Sequence, residues 1–261
     1  MANQKEDSVQ ESSIRRQDLL DQPVLVSPSA YRTMSRRNLL QLAPLALSAA
    51  LFLPRVRERL IREGLALSDW ASGKLFSRRG RAQTFENFEV VRLEKFPYNY
   101  SSVLDPGIDL EKWTLTVEGL VRDPGSYTMA QIQALPKITQ NTRHICIEGW
   151  DAIGNFGGCR ISEFLAFVGA EPGARFLEVE CADDYYESID MDSALHPQSL
   201  LCYEMYGNPL DRGHGAPLRL QMPTKLGYKQ AKYLTALRVS NVLRKEKGYW
   251  EDQGYSWFGG I

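Results

Sequence analysis

The sequence is sparing with the residues that staple or coordinate. Its four cysteines, Cys146, Cys159, Cys181 and Cys202, stand too far apart to form a CxxC pair. That argues against a zinc ribbon, a thioredoxin-type couple or an iron–sulfur run. No CxxCH occurs, so no c-type haem is attached. There is no uncharged apolar stretch of the roughly 20 residues that a membrane span needs, no internal repeat and no low-complexity segment. Charge of either sign is also not in excess: the formal net charge is −1 and the pI about 6.3. A nucleic acid is therefore not an expected partner.

What is present is ordinary globular composition: 261 residues, 43% hydrophobic and 24% charged, enough for one large domain or two small ones. The organisation reads in four parts. Residues 1–33 are polar and mixed, without a sustained apolar period, and read as a disordered lead. Residues 34–54 hold Arg36-Arg37 followed by the uncharged run Leu39–Leu53, the order of a twin-arginine export signal or anchor. The other reading of that run is a buried helix after a chance Arg-Arg. Residues 55–84 form a basic linker in which Val56, Leu60, Ile61 and Leu65 fall near helical spacing after Pro54. An amphipathic helix there either lies on a membrane or packs on the domain; the arginines around it read most simply as a solvated face. Residues 85–261 are the folded unit.

Within that unit, Trp113–Glu118 alternates as a half-buried strand does, and Asp123-Pro124-Gly125 marks the turn after it. Thr128 and Gln131 make a capping box for a short helix ended by Pro136. A strand from Arg143 to Ile147 leads into a glycine-bearing loop, Gly149–Gly158, after which Ser162 is expected to cap a helix. Further strands are expected at Phe176–Cys181, Leu200–Tyr206 and Pro217–Met222, with a turn at Gly207-Asn208-Pro209. The fold class is α+β, mixed and strand-rich.

The segment Arg143-His144-Ile145-Cys146-Ile147-Glu148-Gly149-Trp150 puts a cysteine at the end of a strand, where a rigid scaffold meets a glycine-containing loop. Such a cysteine suits a metal ligand, although a lone cysteine is more often an inert buried one. Later segments follow in order: Leu195-His196-Pro197, Tyr206-Gly207-Asn208-Pro209-Leu210, Gly215-Ala216-Pro217-Leu218-Arg219-Leu220 and Gly227-Tyr228-Lys229-Gln230-Ala231-Lys232. Together, over roughly Phe96–Val239, these resemble molybdopterin oxidoreductases of the sulfite-oxidase superfamily, the protein-methionine-sulfoxide reductases above all. The resemblance implies a sulfite-oxidase-type molybdopterin-binding domain over 85–261, with Cys146 as the molybdenum ligand. It also implies pterin contacts from Asn99, Cys181, His214, Arg219 and the Lys229, Gln230, Ala231, Lys232 segment.

The chemistry is consistent with that. A soft thiolate suits a metal held by dithiolene sulfurs, and Arg219, Lys229 and Lys232 are cations for a phosphate tail. His144 and Glu148 share the face of Cys146 on a strand and, with Arg143, are the candidates for proton and substrate handling. A packing role for His144 and an Arg143–Glu148 ion pair are the plainer alternatives, and His196 reads as structural. The implied activity is oxygen-atom transfer to or from a sulfur compound. Electrons would be exchanged with a separate membrane haem protein or soluble cytochrome, and the chain would be exported to the periplasm by the twin-arginine machinery, its signal cleaved or kept as an anchor. His214, Gly149 and Phe156 depart from the reductase pattern and the loop between Asp184 and Leu195 is shorter, so the substrate does not carry over. A second domain of the kind sulfite-oxidising members add after the metal domain has no room after Val239. Two rivals are a copper carrier using Cys146, two histidines and Met222, and an exported binding protein that keeps the fold without cofactor.

Overall fold

Alternation of buried and exposed side chains sets the strands of this chain, described here by a computed structural model covering residues 53–99 and 105–261. The polar lead and nearly all of the export signal lie outside the described residues. The chain divides into two units, 1–57 and 58–261, and the second carries everything that positions the site. Among the described residues no helix is long and apolar enough to cross a membrane.

In β1 (Thr114–Gly119), Leu115 and Val117 turn inward while Thr116 and Glu118 face solvent. It pairs antiparallel with β2 (Gly125–Thr128) and parallel with β10 (Leu234–Ser240). β5 (Phe176–Cys181) and β6 (Tyr186–Asp190) complete a five-stranded sheet in the order β2-β1-β10-β5-β6. A second sheet runs β3 (Lys137–Ile145), β4 (Asp151–Arg160), β7 (Leu200–Met205), β8 (Asn208–Pro209), with β9 (Arg219–Gln221) also paired to β7. The helices are α1 (Pro54–Leu75), α2 (Met129–Gln133), α3 (Ile161–Phe167) and α4 (Met191–Ala194). The expected capping box forms at α2: Thr128 Oγ1 accepts from the Gln131 amide and the Gln131 side chain accepts from the Thr128 amide. The main core lies between the sheets, with Leu115, Ile132, Phe164, Leu177, Leu201 and Leu237 fully or almost fully buried. A smaller cluster around Phe96, Phe156, Cys202 and Leu210 sits on the other side of the second sheet.

Two local expectations need correction. Residues Gly149–Gly158 are not a loop; most of them lie in β4, which is paired on both edges. The glycines are there because neighbours come close: a Cβ on Gly158 would stand 2.1 Å from the Leu201 carbonyl oxygen, and one on Gly154 2.8 Å from Phe96 and Phe156 ring carbons. Only Gly149, at φ 92°, is a turn glycine, closing the tight connection Cys146–Trp150 between β3 and β4. At α3 the N-cap is Arg160, in extended conformation and without a side-chain cap bond, so Ser162 lies inside the helix.

Gly158→Ala is expected to destabilise the protein by roughly 1–3 kcal/mol or more, since backbone cannot move aside as a side chain does. Gly173→Ala, where an added Cβ meets nothing within 4 Å, is expected to be close to neutral. Urea midpoints of the two variants measure the difference.

Candidate active site

β3 ends by delivering one face of its side chains to a cavity. Gln140, Thr142 and His144 point inward and Arg143 outward, and Cys146 follows in the same alternation. The Cys146 amide donates to the Trp150 carbonyl at 2.9 Å and its own carbonyl accepts from the Gly149 amide at 3.2 Å, which fixes the sulfur at the mouth of the connection. Burial raises the thiol above its ordinary value and the Glu148 carboxylate adds to this, while the N–H groups of Glu148, Ile147 and Asn99 work the other way. Asn99 Nδ2 lies 3.6 Å from the sulfur and donates to Glu148 Oε2 at 2.8 Å; Trp150 Nε1 reaches the same oxygen at 3.3 Å.

His144 is buried, stacked at 5.6 Å on Trp150 and edge-on to Phe96 at 5.9 Å. Burial first, and then Arg219, push its pKa down to about 3, so the imidazole is neutral. Its Nδ1 has no hydrogen-bond partner among the described residues. A Cβ at Gly227 would come within 2.7 Å of Nε2, so glycine at the head of the Gly227–Lys232 segment lets the chain pass against the ring.

Two cations face the same space. Arg219, buried on β9, donates to the carbonyls of His214 at 3.0 Å and Leu220 at 3.3 Å. Lys232 Nζ donates to the carbonyls of Asn99 at 2.5 Å and Gly213 at 3.0 Å, its pKa brought down to about 8 by burial and then by Arg219. Neither has a carboxylate of the described residues within ion-pairing distance. The cavity, about 210 Å³, is lined by Asn99, His144, Cys146, Glu148, Arg219, Gln230, Ala231 and Lys232 together with an aromatic wall of Phe96, Tyr98, Trp150, Tyr185, Tyr228, Trp250 and Tyr255.

Four of the expected site residues stand elsewhere. Lys229 points from its 3-10 turn into the interior, where Nζ is enclosed by Glu187 at 2.6 Å, Glu251 at 2.5 Å and the Ser188 carbonyl at 3.2 Å, so it is not a phosphate cation. Arg143 lies on the outer face of β3, paired with Asp151 at 3.2 Å and over the Phe85 ring at 5.2 Å. It does not meet Glu148, whose partners are Asn99 and Trp150. His214 is buried behind the cavity, with Nδ1 2.8 Å from both Asp211 oxygens and Nε2 3.3 Å from the Phe96 carbonyl; it braces the Phe96–Asn99 segment. Cys181 belongs to the main core at the end of β5, two residues before the cavity-lining Asp183. The aromatic wall was missed. Trp250 and Tyr255 come from beyond the last recognisable motif, and only their place in the fold brings them to the cavity.

Known proteins similar to this chain identify its family. The family model "oxidoreductase molybdopterin binding domain" matches residues 102–250. A putative protein-methionine-sulfoxide reductase subunit of Azospira oryzae is 45% identical over 190 residues, covering 72% of this chain and 71% of that protein. The protein-methionine-sulfoxide reductase catalytic subunit of Pseudomonas syringae pv. tomato is 28% identical over 257 residues, covering 84% and 74%. The solved sulfane dehydrogenase SoxCD from Paracoccus pantotrophus is 22% identical at a TM-score of 0.49, covering 53% of this chain and 41% of that one. This chain belongs to the molybdopterin-binding oxidoreductase family of the sulfite-oxidase type. It is an enzyme, and its cofactor is molybdopterin, the pterin dithiolene that carries molybdenum.

The residues present fit that cofactor. Among the described residues no three His, Cys, Asp or Glu side chains are grouped to hold a metal. A single cysteine sulfur suits a metal whose other soft ligands arrive with the dithiolene. His144 Nδ1, without a partner among the described residues, and Arg219 and Lys232, which no described carboxylate pairs, offer a polar partner and positive charge to a pterin phosphate.

Lys229→Met is expected to cost about 3–5 kcal/mol, because it strands two buried carboxylates, while leaving the pterin content per folded chain unchanged. Arg219→Ala is expected to lose pterin and, with both variants compared as cofactor-free protein, to lose less stability than Lys229→Met. Urea titration together with pterin fluorescence after acid release separates the two; pterin loss in Lys229→Met at unaltered stability would reverse the assignment.

Proposed function

We propose that this chain is an exported molybdenum-pterin oxidoreductase that transfers an oxygen atom to or from a sulfur compound and exchanges electrons with a separate haem carrier. The observation that carries this reading is the convergence on one cavity of Cys146, Asn99, Glu148 and two cations, Arg219 and Lys232, that no carboxylate of the described residues pairs. Support for sulfur chemistry comes from the relatives named as protein-methionine-sulfoxide reductases. Export rests on Arg36-Arg37 and the uncharged run after it, which leaves the chain periplasmic or held at the membrane by an uncleaved signal. A carrier, either a membrane haem protein or a soluble cytochrome, is required because the sequence has neither CxxCH nor an iron–sulfur cysteine run.

When bound, the cofactor supplies the two-electron chemistry and the transferable oxygen. The chain supplies the rest. Cys146 would hold the metal through its sulfur, as a thiolate, the form that metal coordination favours against the burial that raises the thiol. Asn99 fixes Glu148 beside that sulfur with its 2.8 Å bond. Reduction of a sulfoxide consumes two electrons and two protons and releases thioether and water; Glu148, exposed at the mouth and joined to Asn99 and Trp150, passes protons between solvent and the cavity. Neutral His144, with Nδ1 free of a partner among the described residues, would offer it to the pterin, and Arg219 and Lys232 would hold the phosphate.

Protein purified after native export is expected to carry about one molybdenum per chain by elemental analysis, lost in Cys146→Ser with the circular dichroism spectrum unchanged. Well-folded wild-type protein with neither metal nor pterin would leave a cofactor-free binding module as the better reading. Glu148→Gln is expected to keep molybdenum and lower turnover by roughly 10²–10⁴.

A further inference from the structure

Among the described residues, helix α1 is held to the rest of 58–261 along the edge that carries Asp69. The Asp69 carboxylate accepts from Ser256 Oγ at 2.5 Å and from the amides of Trp257 and Phe258 at 3.0 and 3.1 Å. Just past the helix, Phe76 packs on Phe258 and His196, each with ring centroids 5.8 Å apart. At about 100° per residue, Leu60 and Leu67 fall on the side opposite Asp69, with Trp70 about 60–80° from them. They are 43%, 65% and 63% exposed, and no residue of the helix is buried. Single exposed apolar residues are normal, but several on one face of one helix are not. The only acid on that side, Glu63, is paired with Arg59 at 2.8 Å, and Lys74 adds a cation. Along its length the helix sequence sets Arg55, Arg57, Arg59, Arg62 and Lys74 against Glu58, Glu63 and Asp69, and it directly follows the uncharged run Leu39–Leu53.

We propose that this face is a lipid-contact surface: α1 lies in the plane of an anionic bilayer, with Leu60, Leu67 and Trp70 in the headgroup boundary and the basic side chains on the headgroup phosphates. An interfacial helix needs one apolar face and flanking cations rather than the uniform apolarity of a span, and tryptophan favours that boundary. Net positive charge and continuity with an uncharged segment favour lipid over a second copy of the chain, which would bring like charges together.

The test uses the full-length holoprotein with vesicles of phosphatidylcholine, with and without phosphatidylglycerol. The Leu60→Glu/Leu67→Glu variant is expected to bind phosphatidylglycerol vesicles about tenfold or more weakly, with thermal midpoint and turnover unchanged, and raised salt is expected to weaken the wild type. Brominated lipid is expected to quench wild-type tryptophan fluorescence, with most of the quenching lost in Trp70→Phe. Unaltered affinity and quenching in both variants would overturn the proposal and assign any binding to Leu39–Leu53. A lipid-free dimer dissociated by Leu60→Glu/Leu67→Glu would assign the face to a second copy.

Discussion

The site depends on a charge imbalance. Elsewhere in the interior the protein balances its cations: Lys225 meets Asp190 at 3.2 Å and the Phe258 carbonyl at 2.6 Å, and Lys229 sits between two glutamates. Arg219 is as deeply buried, yet among the described residues its hydrogen bonds go to backbone carbonyls and no carboxylate pairs with it; Lys232, partly buried, likewise donates to carbonyls, with the Tyr233 ring 5.1 Å from Nζ. Burying a cation without a carboxylate in direct ion-pair contact is costly, and a fold tolerates it where a ligand supplies the missing charge. Both stand on one cavity with the Cys146 sulfur, so the imbalance marks where an anionic cofactor belongs. Its binding then adds directly to the stability of the folded state.

The same contrast separates Lys229 from Lys232. Sequence places Lys229 and Lys232 in one motif, three residues apart, and on a helix they would share a face. The intervening chain is instead a single 3-10 turn, Gly227–Lys229, left at Gln230 with φ −102° and ψ 66°. That break sends the first lysine inward and the second to the cavity.

Much of the scaffold was legible because it follows local rules. β5 coincides with the strand expected at Phe176–Cys181, and the Thr128/Gln131 box forms as its spacing predicts. The β3 alternation also separates Arg143 from His144, a distinction that the period of two already contained but that grouping by proximity to Cys146 hid. What was not legible is contact between distant segments. Gly154, Gly157 and Gly158 look like a loop until β7 and Phe96 are placed against them. His214 and Cys181 match a motif by position, but the segments they support, rather than their own side chains, reach the cavity.

The aromatic wall is the clearest case of function built from remote chain. Trp250 and Tyr255 belong to a C-terminal segment with little regular structure beyond the 3-10 turn Glu251–Gln253. Three separate anchors hold that segment: Glu251 on Lys229, the Tyr249 ring stacked at 5.3 Å on Tyr185, and Ser256–Phe258 on Asp69 of α1. A loop ordered by so many partners presents its rings with little conformational freedom left to lose, which is the condition for recognising a substrate at a cavity mouth. The buried Lys229, enclosed by Glu187 and Glu251, thus serves the cavity from behind, by holding the segment that carries Trp250 against the sheet.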